Sequence, residues 1–488
     1  MAITARRQSA VATPLGARIP FLFVASVLGA ASIFAAVVRL SDRIAINPWE
    51  PAIAMEAVRL NVGVPIYNAA HATHMYGPLV TVLLAGIFRG TGLNLLAARI
   101  VMSIFAFALA IFLAVVLRRH TSGAWIAFAA LLFLGINFRT NLAFLSIQPD
   151  CIAILVACVG LVIWIKCRRS IVGFVGAIVL FVSAMLFKQT AAAFALIPIA
   201  FVLMWRRPPG LRELLVSAIP TMAILATLAL VRLTGLEMFR AIVTVPGSIQ
   251  VHWERAPGIF LYLIATFPLF FIGLIATFSK QRPLDGSERW ILSALIVLVP
   301  ISIWAICKSG GSYNSLLPAY LAMTALFVAR LDVIIERLNK LTAQRAVLAS
   351  STIALIVLLS FFVQFDRALA VLTLRHGDEK YDAAVKTGHD LGSLVISPQD
   401  PTIAYRATGY LGNSLIFELD THAVNGNWPS TLPESLSREL DAAKFVVQVK
   451  SFVPNPMFDR ALEEHGFSPV PVEALADSAY TLWGKQSN

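Results

Sequence analysis

Ionisable and hydrogen-bonding residues are scarce in this chain, so the places where they gather are informative. The stretch NPWEPAIAMEAVRLNVGVPIYNAAHATHMYGPL carries Glu50, Glu56, Arg59, Tyr67, His71, His74 and Tyr76. Three more groups interrupt apolar runs: Gln148-Pro149-Asp150, Lys188-Gln189-Thr190, and the segment from Lys308 to Tyr313 and Asn314. A carboxylate in such a set can take a proton from an acceptor hydroxyl as general base. A lysine at a membrane surface can neutralise a phosphate as it leaves. The set as a whole suits group transfer from a lipid-anchored phosphate. Arg59 and Arg255 are further cations for phosphate head groups, and Tyr76, Tyr313 and Asn314 are candidate wall or acceptor contacts.

Each residue also has a plainer reading. Asp150 begins an apolar run, and an aspartate at a helix N-terminus is favoured by the helix dipole. Lys188 suits a lysine that runs its stem along a span and keeps its ammonium at the surface. Glu56 lies six residues from Glu50, off its helical face, and reads as structural. His71 and His74 have a spacing that metal ligands use, but two histidines in a loop are more often plain loop residues. The Gly310-Gly311 pair reads as a tight turn.

The elements that must position these residues follow from composition. Apolar residues make up 58% of the 488 and charged residues 14%, against roughly 25% charged in a soluble domain, so a soluble class is excluded. The excess of +12 is not a nucleic-acid stripe, because the cations come in short clusters between apolar runs. Clusters at 166–169, 206–212, 280–289 and 330–345 alternate with cation-poor loops, the pattern of loops held on the cytoplasmic side. This threading predicts an all-α polytopic membrane domain of about eleven spans, near 20–40, 96–117, 123–143, 150–166, 171–187, 190–205, 212–235, 258–279, 289–307, 313–331 and 346–365. The run 78–88 is too short to cross ~30 Å of hydrocarbon. It therefore reads as interfacial or re-entrant within one long outer loop, 41–96. Residues 1–19 form a cytoplasmic tail, and 366–488 a small soluble α/β domain outside. Strands are expected at 393–397, 414–417, 444–449 and 479–483, and helices near 380–391, 436–443 and 458–465. The four cysteines, Cys151, Cys158, Cys167 and Cys307, lie in or beside spans without a CxxC pair and read as packing residues. The sequence has no Asn-x-Ser/Thr sequon, which favours a bacterial inner membrane over a secretory-pathway one.

The ordered motifs Trp49-Glu50, Ala57-Val58-Arg59, Gly63-Val64-Pro65-Ile66-Tyr67, Tyr76-Gly77-Pro78-Leu79, Ala97-Ala98-Arg99, Gln148-Pro149-Asp150, Lys188-Gln189-Thr190 and Gly311-Ser312-Tyr313-Asn314 with Pro318 resemble the GT-C superfamily of membrane glycosyltransferases. The resemblance is to ArnT/PMT-like bacterial enzymes and covers residues 20–365. It implies a polyprenyl-phosphate sugar as donor, a lipid, glycan or protein as acceptor, and inversion by direct displacement. It implies that Glu50 and Asp150 flank the reaction centre, that Lys188 meets the donor phosphate, and that His74 and Gln148 join the substrate contacts. Many relatives carry aspartate where this chain has Trp49, so base duty falls to Glu50 or is shared differently. Some members need a divalent metal and some do not, so a metal is not assigned.

Two other classes compete. A transporter or flippase of lipid-linked saccharide needs ionisable groups at mid-membrane, and the spans are nearly clean of them. A catalytically inactive envelope scaffold differs from the enzyme by keeping its fold while lacking turnover.

Overall fold

A computed structural model describes residues 15–40, 42–68, 72–118, 123–140, 142–278, 283–362, 377–392, 394–422, 429–450 and 456–486. The N-terminal tail to residue 14, His71 and the start of the cationic loop at 280–289 lie outside the described residues.

Long runs of Leu, Ile, Val, Phe and Ala satisfy every backbone group within a helix, as lipid requires. Among the described residues six helices are long and apolar enough to cross a membrane: Ile19–Leu40, Leu95–Leu117, Asp150–Cys167, Leu211–Thr234, Gly286–Cys307 and Ala343–Ser360. A further apolar pair is sharply bent, Trp253–Thr266 meeting Leu269–Thr277 at 90° around Phe267-Pro268, the geometry of a broken span or a re-entrant loop. The shorter helices Ile171–Phe187, Gln189–Trp205 and Tyr313–Ala329, with Gly123–Gly135 and its 3-10 extension Ile136–Arg139, occupy the remaining expected spans. Large apolar side chains such as Val37, Ile111, Val172, Leu233 and Leu261 face outward from this bundle. Lipid is the solvent that such a surface needs.

Two polar clamps sit inside the bundle, and composition alone hid both. Arg330, wholly buried, donates from Nη1 to both oxygens of buried Glu288 at 3.1 Å and from Nη2 to the Ala276 carbonyl at 2.8 Å. Glu288 also closes a capping box with Asp285 at the start of Gly286–Cys307. Arg139 donates to the Thr266 carbonyl, freed by the helix break, and to Ser360 Oγ at 2.9 Å. Arg330 was expected in a loop; its guanidinium is instead an interior tie between three elements.

Between the first two long helices, Trp49–Asn61 and Leu79–Thr91 pack on each other. Ile53, Ala57 and Val58 meet Val80, Leu84 and Phe88. Leu79–Thr91 has 13 residues and adds its buried face to this side cluster.

The C-terminal portion is a four-stranded sheet with helices against it. Its strands are β1 (Val395–Ile396), β2 (Phe445–Val449), β3 (Phe467–Val470) and β4 (Tyr480–Lys485), in the order β1-β2-β4-β3, with β1 and β2 parallel and the other pairs antiparallel. Three of four expected strands are present, and β3 was not foreseen. The fourth expectation fails. Residues 414–417 enter a helix, Leu415–Thr421, because their apolar run serves two cores at once. Leu415 and Leu419 pack into the sheet domain, while Ile416 and Phe417 pack onto Trp49–Asn61 and its neighbours. A short apolar run with both faces buried carries no period that separates helix from strand.

Candidate active site

Asp150 opens the helix Asp150–Cys167 with 3% of its surface exposed, and its charge sits at the positive end of that helix. Lys188 Nζ donates to Asp150 Oδ1 at 2.6 Å. Asn314 Nδ2 donates to Asp150 Oδ2 at 3.1 Å and to Gln148 Oε1 at 3.0 Å. The Lys188 ammonium lies 5.2 Å from the centre of the Tyr76 ring. Asp150, Lys188, Asn314, Gln148 and Tyr76 thus meet at one end of the bundle, although the chain brings them from four separate stretches. Burial pushes the Lys188 amine toward neutrality, and the Asp150 carboxylate outweighs it, holding the amine above its ordinary range.

Local structure explains the convergence. Lys188 leaves Ile171–Phe187 with extended backbone before the 3-10 turn Gln189–Leu196 begins. Gly77 lies so close to the Leu186 carbonyl that no β-carbon fits there, which seats the Tyr76 loop on the same helix end. Gln189 Nε2 donates to the Met75 carbonyl and to the Ile242 carbonyl at 3.2 Å, tying this loop to the bundle. Asn314 is delivered by the turn at Gly310, whose φ of 71° suits glycine, and by the 3-10 helix Tyr313–Leu316. Tyr313 packs against Tyr262 with its ring tilted by 45°, ring centres 4.9 Å apart.

Glu50 has a different environment. Arg99 donates from Nε to Oε1 at 2.8 Å and from Nη2 to Oε2 at 2.7 Å. The backbone N–H groups of Ile147 and Ile46 add donations at 3.0 and 2.7 Å. Glu50 and Arg99 are both 0% exposed. The same guanidinium holds the carbonyls of Asp42 and Ile44. Arg99 stood in a recognised motif, but its isolation near the start of a span was the only sequence signal of this role. Glu50 is therefore enclosed by donors where a reacting acid was expected.

Arg59 and Arg255, expected as phosphate ligands, make no contact with the Asp150 cluster among the described residues. Arg59 is buried, pairs with Glu56 at 3.2 Å, and donates to the carbonyl of Gly412 at 2.5 Å and to Asn413 Oδ1 at 3.3 Å. Its five donors match this fork of acceptors, so it fastens the C-terminal domain to Trp49–Asn61. Arg255 is exposed in the turn Trp253–Arg255, and no contact links its side chain to the Asp150 cluster among the described residues. Burial lowers His74 to about 4, so it is a neutral ring. It lies 5.9 Å from Tyr76 and 6.1 Å from Phe417, packing the loop against the C-terminal domain.

The acids here do not suit a divalent ion. Among the described residues no three His, Cys, Asp or Glu side chains come together as ligands. An ammonium and an amide already take the two Asp150 oxygens.

The architecture as a whole matches solved proteins. ArnT from Cupriavidus metallidurans, crystallised bound to undecaprenyl phosphate, superposes over 94% of this chain and 97% of its own with a TM-score of 0.54 and 13% identity. The chain has the fold of ArnT. The apo ArnT structure gives the same coverage with a TM-score of 0.55 and 15% identity. No protein-family model and no curated protein sequence matches the chain. The likeness covers nearly the whole chain, and the helical bundle with a small C-terminal sheet agrees with it.

Proposed function

We propose that this protein is an inverting glycosyltransferase that moves a sugar from a polyprenyl-phosphate donor to an acceptor on the outer face of a bacterial cytoplasmic membrane. The observation that carries the reading is the Lys188–Asp150 pair, buried at the mouth of the bundle with Asn314, Gln148 and Tyr76 around it. A lysine held charged at that depth can meet the phosphate of a lipid whose tail lies between helices. Asp150 fixes the ammonium and keeps it protonated, and the charge opposes the one that develops on the leaving phosphate. Glu50 acts from behind: through Arg99 and Ile147 it fixes the loop that ends in Asp150. The acceptor oxygen attacks the anomeric carbon from the face opposite the phosphate, which inverts the centre.

The sided arrangement has the N-terminus in the cytoplasm and residues 366–488 in the periplasm, with lipid, glycan or protein as acceptor. The transport reading gains no ground. The buried charges Arg99, Glu288 and Arg330 are locked in pairs and do not form a path.

The test is a transfer assay with purified protein, a panel of polyprenyl-phosphate sugars and crude envelope acceptors, read by mass spectrometry. A product heavier by one sugar, with free polyprenyl phosphate released, supports the proposal. Binding of donor with no transfer to any acceptor contradicts it.

A further inference from the structure

A hydroxyl that attacks an anomeric carbon must give up its proton, and the two expected acids are engaged elsewhere. Glu50 accepts four hydrogen bonds, and Asp150 holds Lys188 and Asn314. A third carboxylate, Asp420, comes from the far end of the sequence to the neighbourhood of Trp49 and Tyr76. The Leu415–Thr421 helix lays Ile416 and Phe417 against the Trp49–Asn61 cluster. Phe417 faces His74 at 6.1 Å, His74 faces Tyr76 at 5.9 Å, and the Lys188 ammonium lies 5.2 Å from the Tyr76 ring centre. Asp420 is three residues beyond Phe417 and so shares its side of the helix. The Trp49 indole Nε1 donates to Asp420 Oδ2 at 3.0 Å. Trp49 immediately precedes Glu50, whose Oε1 accepts from Ile147, three residues before Asp150. The Tyr76 phenol feels Lys188, Asp150 and Asp420 together. Asp420, Trp49 and Tyr76 are partly exposed, whereas Glu50 and Asp150 are buried. Asp420 is thus the partly exposed acid of this group, bonded to Trp49, and the Lys188–Asp150 pair lies against the other side of the group, at the Tyr76 ring.

We propose that Asp420 is the catalytic base of the transfer, presented to the membrane-domain site by the C-terminal domain and aimed by the Trp49 indole. The assignment rests on the transferase reading above and adds a residue to it. In the step, the acceptor oxygen forms its bond to the anomeric carbon while its proton passes to Asp420. The bond from that carbon to the phosphate oxygen breaks, and the electron pair leaves with the phosphate, opposite Lys188. Water then takes the proton from Asp420. Trp49 is a positioning residue: its N–H favours the ionised carboxylate.

D420N separates the base from the joint, because the amide oxygen still accepts from Trp49 but cannot take the proton. It is expected to lower kcat for sugar transfer by about 10²- to 10⁴-fold, the range of general-base catalysis, with polyprenyl-phosphate binding unchanged. Wild-type turnover in D420N overturns the assignment and leaves the transferase reading intact. Absence of transfer by the wild-type protein from every donor overturns both. W49F offers a readout that a purely structural role would not move. Losing the indole donor raises the carboxylate's proton affinity, so the acid limb of the kcat/KM profile should shift to higher pH. An unshifted limb in folded W49F counts against the proposal even if D420N fails to fold.

Discussion

Two carboxylates that look alike in the sequence have opposite surroundings in the fold. Glu50 is matched at both oxygens by one guanidinium and two backbone amides, while Asp150 takes an ammonium from Lys188 and an amide from Asn314, which also bonds Gln148. Asp150 and Lys188 were legible because a polar residue at the end of an apolar run has few explanations. Glu50 was not, because its partner Arg99 lies 49 residues on, inside a span, and nothing local announces the pair. Arg59 was misdirected for the same reason, its acceptors lying more than 350 residues away. Removing one member of a wholly buried pair leaves an uncompensated charge, which costs about 3–5 kcal/mol. R99A should therefore lose stability on that scale, seen as a fall in melting temperature of the detergent-purified protein. A wild-type melting temperature would remove the clamp role.

At the scale of elements, the spans follow from hydropathy, but the loops that aim the site follow from contacts no pattern encodes. Gly77 is one such contact. A methyl group there meets the Leu186 backbone and must push the Tyr76 loop away from Lys188. Since a shift of about 1 Å near reacting groups can cost on the order of 10²-fold in rate, G77A should lose most transfer while staying folded. Unchanged turnover would show that this close approach does not aim the site. The helix Leu415–Thr421 makes the same point about prediction. Its sequence reads as strand because both faces are apolar, and both are apolar because it bridges two cores.

Across the whole molecule, composition revealed a membrane bundle with a polar C-terminal domain, and the joint between them stayed hidden. That joint gathers buried acids around Arg59. Burial pushes both Glu56 and Glu439 up to about 7, against the pull of Arg59 and, for Glu439, the Asn413 N–H. A carboxyl that holds its proton more tightly folded than unfolded contributes less to stability as pH rises from its ordinary value of 4.5 toward 7, and its effect is constant above that. Wild type should therefore lose more thermal stability than E439Q between about pH 5 and about pH 8, measured on the two proteins in parallel. Parallel curves would show that Glu439 ionises in the joint without cost.

The account turns on whether Lys188 receives the phosphate of a polyprenyl carrier. Binding of polyprenyl phosphate to purified wild-type and K188Q proteins, measured in the same detergent, tests this directly; the glutamine keeps a donor for Asp150 and removes the charge. A charge-assisted hydrogen bond contributes about 1.5–3 kcal/mol, so K188Q should bind the carrier roughly 10- to 150-fold more weakly. Equal affinity in the two folded proteins would contradict the placement of the donor phosphate at this site.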